Sequence, residues 1–564
     1  MLIRRSLIAA ILVASAACSE PAPKGPVPIA SLPDIDAAAV LADIRKLSSD
    51  EFEGRLPGTK GEQLTVTYLV DQFKAAGLEP GNPDGTWVQK VPLVGLTPQF
   101  SGPLVVRKGG ATKTFKIADE FVPFSKQVTG DVKVENSEIV FVGYGVQAPE
   151  FQWDDYKSVD VKGKTIVMLV NDPPVPDGTN PRELDPKVFG GQAMTYYGRW
   201  TYKYEKAAEL GAAAAIIVHE TDRAGYPFSV VKGFGGERFD LVTPDKNMRR
   251  AQIESWMSVE AATALFKMAG QDYQALKTKA ATREFKPVPL GMTASFALKQ
   301  QMRTIDSQNV IARLPGSDAT LKNEYVVFSA HWDHLGIGDP KPGQTDRIYN
   351  GAADNASGTA TMLEIAREMK KVSPAPKRTT LFLAVTAEEQ GLLGSQYYGQ
   401  FPLYPLDRTL ADINLDDNLP MWGRTKDVIV IGLGASDLDD YLRNAAAEQG
   451  GRYLKPDAEP EKGFYYRSDH FNFAKAGVPA LDTDDGLEYV GKPAEFGKQK
   501  KDEYTKNDYH SPSDEVKPDW DLTGLAEQAK LLFAVGYRVA QADRFPEWKP
   551  GNEFKTIRDK TLRK

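Results

Sequence analysis

Two histidines and three carboxylates in the C-terminal half of the chain could bind metal together. They are His331, Asp354, Glu389, Asp416 and His510. Imidazole nitrogens and carboxylate oxygens form a mixed ligand set that suits zinc or another borderline divalent metal. His331 and Glu389 follow the apolar runs YVVFSA and LFLAVTA, and Asp416 lies in the stretch ADINLDDN. Elements that bring the ends of these runs together would therefore create a metal site.

The apolar runs are typical of buried strands, and helical patterns alternate with them. NEYVVFSAHWDHLG precedes the helical pattern GTATMLEIAREMKK, TTLFLAVTAEE precedes GLLGSQYYGQF, and further strands are predicted at KDVIVIGLG and GVPALDTD. This alternation predicts a three-layer α/β/α domain with a mixed, largely parallel sheet. Sites in such sheets lie at the carboxyl ends of the strands, so we expect the candidate ligands to converge there.

A second, β-rich segment is predicted earlier in the chain. SEIVFVGYGV and KGKTIVMLVNDPP are β-rich runs that close on Gly and Pro, and KYEKAAELGAAAAIIVHE is typical of a helix, a glycine turn and a buried strand. Before it, GEQLTVTYLVDQFKAAGLEPG has apolar residues at helical spacing and a stop signal at Gly77. The segment therefore separates that helix from the α/β domain.

The remaining histidines have simpler interpretations. A single histidine is most often a packed or hydrogen-bonded core residue, and we interpret His219 in this way. His334 and His470 are expected to support the site rather than to bind metal. Five candidate ligands in this order indicate a site, whereas none of them does so alone.

The ordered motifs carry a resemblance to a known family. H-x-D, D-N-x-S-G, A-E-E-x-G-L-L-G-S, N-x-D and Y-H-S resemble the co-catalytic dizinc exopeptidases of metallopeptidase family 28. EGRLPGTKGEQ and RSDHFNFAKAGVPA resemble two further blocks of that family. The β-rich segment resembles the protease-associated domain that is often inserted in these enzymes. The family includes bacterial aminopeptidases, glutamate carboxypeptidase and the inactive transferrin-receptor ectodomain.

The resemblance implies two zinc ions per chain. Asp354 would bridge both ions. His331 and Asp416 would complete one coordination sphere, and Glu389 and His510 would complete the other. The two ions would bring four positive charges, and the three ligand carboxylates bring three negative ones. One unit of positive charge remains, and a bridging hydroxide would balance it.

The resemblance also implies catalytic roles beside the metal. Glu388 would be the general base, Asp333 would orient His331 and Tyr509 would hydrogen-bond the developing oxyanion. We expect Glu388 and its neighbour Glu389 to lie on extended backbone, where adjacent side chains point opposite ways. Asp417 stands where many relatives carry an apolar residue, so the ligand register at this point is less certain.

Three functions remain open. The first is an aminopeptidase acting on short peptides, and the second is a carboxypeptidase or dipeptidase on the same scaffold. An arginine cluster for a terminal carboxylate would favour the second, and Arg467, Arg424 and Arg378 are available. The third, a non-catalytic binding protein of the transferrin-receptor type, is disfavoured because all ligand positions and the base are filled. A one-zinc glutaminyl cyclase would not need the full ligand set.

Composition and the N-terminal sequence set the remaining expectations. Hydrophobic content of 41% and charged content of 26% are typical of a folded protein, and the net charge of -7 gives no case for nucleic acid. MLIRRSLIAAILVASAAC is typical of a secretory signal. Cys18, the one cysteine, follows small residues as in a bacterial lipobox, which predicts a periplasmic protein whose membrane contact is a lipid anchor. Ordinary signal cleavage that leaves a free thiol is the alternative.

We divide the chain as follows: signal peptide 1–18, Pro/Ala-rich tether 19–34, peptidase domain 35–132, protease-associated segment 133–287, second part of the peptidase domain with the metal site 288–548, and C-terminal tail 549–564.

Overall fold

The computed structural model describes residues 26–180, 182–232, 236–340, 345–416 and 419–562. Its helices are α1 (Ala37–Leu47), α2 (Lys60–Ala75), α3 (Trp200–Glu209), α4 (Thr221–Ala224), α5 (Phe228–Lys232), α6 (Val259–Ala269), α7 (Tyr273–Ala280), α8 (Gly358–Met369), α9 (Leu393–Gln400), α10 (Leu438–Glu448), α11 (His470–Lys475), α12 (Phe496–Asn507), α13 (Thr523–Gln541) and α14 (Lys555–Leu562).

The strands are β1 (Glu79–Pro80), β2 (Val88–Ser101), β3 (Leu104–Lys108), β4 (Ala111–Phe115), β5 (Phe121–Phe124), β6 (Asp131–Phe141), β7 (Gln147–Ala148), β8 (Trp153–Asp154), β9 (Thr165–Leu169), β10 (Ala214–His219), β11 (Arg238–Leu241), β12 (Ile253–Ser258), β13 (Val288–Leu314), β14 (Tyr325–His331), β15 (Gly336–Ile337), β16 (Ile348–Tyr349), β17 (Thr379–Val385), β18 (Thr409–Asn414), β19 (Asp427–Ile431), β20 (Tyr453–Pro456) and β21 (Ala480–Asp484).

The central sheet is mixed and largely parallel, as predicted. Its strands run in the order β13, β17, β14, β18, β21, β19, β20. The four middle strands are parallel to one another, while β13 and β19 are antiparallel to their neighbours β17 and β21. The predicted strand runs YVVFSA and LFLAV are β14 and β17, adjacent and in register.

Helices cover both faces of this sheet, which explains why the run LFLAV of β17 is apolar at every position. Along β17, Phe382 and Ala384 join a core with helices α1, α2, α8 and α13. Leu381, Leu383 and Val385 join the opposite core with helices α9 and α11. Successive side chains on a strand point to opposite faces, so a strand that is buried on both tends to form a continuous apolar run. The three-layer α/β/α prediction is confirmed.

The β-rich insert has a sheet of its own. Strands β6, β9, β10 and β12 are parallel in that order, and β5 lies antiparallel at the edge. Two hydrophobic clusters pack on its faces, and one of them contains buried residues from Leu104 to Leu298. The predicted helix–turn–strand is α3 followed by β10. The domain boundaries given above stay predictions.

Strand β13 connects the insert to the central sheet. Its first part pairs with β3 and with β6, which leads into the insert, its middle pairs with β2, and its end pairs with β17. All these pairings are antiparallel. One continuous strand of 27 residues therefore belongs to both sheets.

The described part of the chain contains no helix whose length and apolar character would let it span a bilayer. Cys18 lies outside the described residues.

Candidate metal centre

The fold brings the predicted ligands together at one edge of the central sheet. Strand β14 ends at His331, and the parallel strands β17 and β18 end shortly before Glu389 and Asp416. Asp354 lies in the segment Ala352–Ser357 that leads into α8, and its own backbone is not helical (φ -102°, ψ 101°). Because parallel strands end at the same edge, four separate chain segments meet there.

One group of ligand atoms surrounds His331. Its Nε2 lies 3.1 Å from Asp416 Oδ1 and 3.3 Å from Asp354 Oδ1. The His331 side chain is buried, and Ser468 Oγ donates to the other oxygen of Asp416. These three side chains have the types and spacing of a metal-binding group.

A second group uses the other oxygen of Asp354. His510 Nε2 lies 3.2 Å from Asp354 Oδ2 and 3.0 Å from Glu389 Oε2. Asp354 thus presents one oxygen to each group, which is the arrangement that a bridging ligand requires. The aromatic ring of Tyr509 stacks on His510 with ring centroids 4.0 Å apart.

The spacing of the ligand atoms fits a tetrahedral metal. Ligands bound at about 2.0–2.1 Å in tetrahedral geometry stand about 3.3 Å apart. The four contacts that join the two imidazoles to the three carboxylates measure 3.0 to 3.3 Å. These four distances are those expected between two ligands of one divalent metal ion.

His334 is closer to the centre than the sequence indicated. Its Nδ1 lies 2.6 Å from Glu389 Oε1, and its side chain is fully buried. With Asp354 and Glu389 it forms another group that could hold a metal ion. His334 thus supports Glu389 by direct contact, and it offers that carboxylate an imidazole on the side opposite His510.

The other two histidines lie away from the ligand atoms. His470 is buried, with Nδ1 3.5 Å from Asp482 Oδ2, and burial lowers its pKa to about 3. His219 packs in the insert against Tyr226, Phe228 and Trp256. Asp417 falls outside the described residues.

The adjacent Glu388 and Glu389 do not lie on extended backbone, and that expectation was wrong. Strand β17 ends at Val385, and Ala387 has a left-handed φ of 54°. The Glu388 carbonyl then accepts hydrogen bonds from the N–H groups of Gly391 and Leu392. The two carboxylates therefore open a tight turn, and it is this turn that directs them differently.

Asp333 contacts both His331 and Glu388. Its backbone carbonyl lies 3.1 Å from His331 Nδ1, whereas its carboxylate oxygen Oδ1 lies 3.8 Å from the same nitrogen. That oxygen accepts the backbone N–H of Glu388 at 3.0 Å. Asp333 thus links the orientation of His331 to the position of Glu388. The roles predicted for Asp333, Glu388 and Tyr509 stay predictions.

The centre contains more buried carboxylates than its imidazoles can neutralise. Burial would raise the pKa of Glu389, but the neighbouring imidazoles of His334 and His510 lower it to about 2. Burial opposes protonation of His510, yet the carboxylates of Glu389 and Asp354 raise its pKa to about 11. Burial raises the pKa of Glu388 well above its ordinary value and that of Asp333 to about 8. A divalent cation would supply positive charge that stabilises the ionised form of these carboxylates.

Comparisons with known proteins agree with this geometry. The profile of Peptidase family M28 matches residues 309–534, which contain all five predicted ligands. This part of the chain is thus similar to peptidase family M28. Aminopeptidase YwaD of Bacillus subtilis is 26% identical over 363 residues, which are 64% of this chain and 64% of that protein. Leucine aminopeptidase 1 of Ajellomyces capsulatus is 28% identical over 239 residues, which are 42% of this chain and 57% of that protein.

The chain thus spans 57% and 64% of the lengths of these two relatives. Among solved structures, an aminopeptidase from Aneurinibacillus sp. strain AM-1 has a TM-score of 0.49 at 22% identity, covering 91% of this chain and 95% of that one.

A cavity of about 260 Å³ lies beside the metal centre of the α/β domain. Glu388, Glu389, Tyr509 and His510 line one side of it. Residues of the insert line the other side, among them Arg199, Trp200, Arg238 and Glu254. The insert is therefore a wall of the cavity.

Polar and aromatic contacts attach this wall to the α/β domain. Lys475 Nζ, on α11, donates to Tyr196 Oη at 2.7 Å and to Glu205 Oε2 at 2.8 Å, both in the insert. Tyr196 also packs on Phe471 with ring centroids 4.9 Å apart. Sequence reasoning missed these contacts because the residues lie hundreds of positions apart.

Proposed function

We propose that the protein is a zinc-dependent exopeptidase, an aminopeptidase that releases N-terminal residues from short peptides. The observation that carries this proposal is the pair of ligand groups that share Asp354 at the end of a cavity walled by the insert. The match of residues 309–534 to Peptidase family M28 and the similarity to two proteins named aminopeptidases support it.

The proposed metal content is two zinc ions per chain. His331 and Asp416 would hold one ion, Glu389 and His510 the other, and Asp354 both. Bound zinc lowers the pKa of a coordinated water toward about 7, which makes a nucleophile available at neutral pH.

Residues beside the metal supply the remaining chemistry. Glu388 lines the cavity, and its side chain is 12% exposed. It takes the proton of the attacking water and passes it to the leaving amine. Tyr509 lines the same cavity, where its hydroxyl would donate to the developing oxyanion. Asp333 keeps His331 and Glu388 in their relative positions through the two contacts described above.

One observation favours the alternative that the enzyme is a carboxypeptidase or dipeptidase. Of the three arginines considered from the sequence, Arg467 lines the cavity, whereas Arg424 pairs with Glu527 and Arg378 pairs with Glu324. Arg199, which the sequence analysis missed, lines the cavity from the insert. Its buried Nε has no hydrogen-bond partner in the described part of the chain. Two guanidinium groups suit a substrate carboxylate.

A panel of modified dipeptides separates the two functions. If the protein is an aminopeptidase, acetylation of the substrate N-terminus should abolish cleavage, while amidation of the C-terminus should leave a measurable kcat/KM. If amidation abolishes cleavage and acetylation does not, the enzyme is a carboxypeptidase. Loss on both modifications identifies a dipeptidase. Absence of turnover on every free peptide in zinc buffer would contradict an exopeptidase of any type.

We propose in addition that the insert is a protease-associated domain that caps the cleft and restricts substrates to short peptides. Its support is the cavity wall that it forms. We also propose that the protein is exported and carries lipid on Cys18, on the support of the N-terminal sequence pattern alone.

A further inference from the structure

Asp514 receives three consecutive backbone N–H groups of the loop that carries Asp354. The N–H of Ala352 donates to the Asp514 carbonyl at 3.0 Å. The N–H groups of Ala353 and Asp354 donate to the two carboxylate oxygens of Asp514, at 3.0 and 3.1 Å. The Asp514 side chain is buried, so water cannot replace it as an acceptor.

The same short segment carries a predicted ligand. His510 lies four positions before Asp514, and the Asp514 N–H donates to the Ser511 carbonyl at 3.0 Å, which closes the segment into a turn. Tyr504 Oη, at the end of α12, donates to Asp514 Oδ2 at 3.3 Å. Asp514 therefore fixes the distance between the segment of His510 and the backbone of Asp354.

Arg55 holds the other side of the same loop. Its guanidinium donates to the carbonyls of Asn350 at 2.6 Å and Gly351 at 2.8 Å. It also donates to the carbonyl of Trp332, next to His331, at 2.9 Å, and to that of Leu47, in α1, at 2.8 Å. The side chain is buried, and no carboxylate of the described residues forms an ion pair with it.

We propose that Asp514 and Arg55 are positioning residues that fix the loop 350–354, so that the carboxylate shared by the two ligand groups is in place before metal binds. Asp514 ties this loop to His510, and Arg55 ties it to the end of β14. The inference rests on the proposed two-metal function. It assigns the geometry of both sites to two side chains that are not themselves ligands.

The test measures zinc binding by the full chain. In Asp514→Asn the amide has one acceptor oxygen, so the N–H of Ala353 or Asp354 loses its partner and faces an NH₂ group. We expect zinc affinity, from competition with a chelator of known affinity, to fall about 10–100-fold, as is typical for residues that orient ligands. Both equivalents should weaken because both use Asp354. Arg55→Lys keeps the charge but loses the planar fork, and it should show the same loss.

Two buried residues outside the centre provide matched controls. Asp155 in the insert accepts the N–H of Val146 at 3.1 Å and the indole Nε1–H of Trp153 at 2.8 Å, so Asp155→Asn removes a similar acceptor. Arg378 is a buried arginine that also donates to main-chain carbonyls. Asp155→Asn and Arg378→Lys should lower the Tm of the metal-free protein and leave zinc affinity unchanged.

Each outcome decides the proposal. Wild-type zinc affinity in Asp514→Asn and Arg55→Lys overturns it, and so does an equal loss in the control variants. If Asp514→Asn does not fold, Tyr504→Phe removes a single donor to Asp514 and should weaken zinc binding in the same direction. A wild-type protein that takes up no zinc overturns this proposal and the proposed function together. One that takes up zinc but cleaves no peptide overturns the proposed function alone.

Discussion

Glu388 and Glu389 are neighbours in the chain, yet their glutamine variants should fail in different ways. Glutamine keeps the size of glutamate and can still hydrogen-bond, but it cannot accept the water proton at neutral pH. Glu388 Oε2 lies 3.9 Å from His331 Nε2, outside the range of the ligand contacts. Glu388→Gln should therefore keep its zinc. Glu389 contacts His334 at 2.6 Å and His510 at 3.0 Å, so Glu389→Gln removes a charge inside the ligand group.

The size of the first effect follows from the role assigned to Glu388. Loss of a proton-transfer group lowers kcat by about 10²–10⁴-fold, which corresponds to about 2.7–5.4 kcal/mol of transition-state free energy. Because the proposed mechanism assigns Glu388 to proton transfer and not to an ion, KM and zinc content should change little. Glu389→Gln should lose part of its zinc on dialysis, and excess zinc should restore part of its activity.

The assay combines steady-state kinetics with elemental analysis of the same samples. Both variants and the wild type are dialysed against a fixed free zinc concentration, then assayed with and without added zinc. The reasoning is refuted if Glu388→Gln loses zinc or is rescued by it. It is equally refuted if Glu389→Gln keeps both equivalents and loses only kcat.

Three further predictions concern other parts of the chain. Asp354→Ala should lower zinc content at both sites, and elemental analysis that finds one tightly held ion in the wild type at saturating zinc contradicts the two-ion proposal. Cys18→Ser should abolish metabolic labelling with fatty acid and release the protein from membranes; an unmodified native Cys18 thiol would argue against the anchor. Burial raises the pKa of Glu553 from 4.5 to about 7, so the folded state binds more protons than the unfolded state in that interval. The unfolding free energy should therefore fall as pH rises from 4.5 to about 7, and Glu553→Gln should flatten this slope in urea titrations.

Much of the α/β domain could be predicted from the sequence because its signals are local. The run LFLAV is apolar at every position, and β17 is indeed covered on both faces by separate cores. The convergence of His331 and Asp416 follows from the rule that parallel strands end at one edge of a sheet. That rule needs only the order of elements along the chain.

Other features of the site could not be predicted from the sequence because they depend on contacts between distant segments or on single backbone angles. The turn at Glu388 depends on the left-handed backbone conformation of Ala387. Alanine seldom adopts this conformation, so the residue type did not predict it. Arg55 lies in EGRLPGTKGEQ, and Asp514 lies shortly after Y-H-S. The sequence does not show which carbonyl and N–H groups these two side chains bind. Arg199 reaches the cavity from an insert with its own core, and no periodicity in the sequence indicates that placement.

Strand β13 has a mechanical consequence for how peptides reach the zinc ligands. An insert joined by flexible linkers could swing aside to admit a folded protein. Here the ladder between β13 and β2, from Leu298 to Val310, would have to break first. For the proposed exopeptidase we infer from this ladder that the insert stays in place, so that an extended chain end would reach the centre and a terminus packed against its own domain would not. Such an enzyme would act on peptides that other proteases have already released.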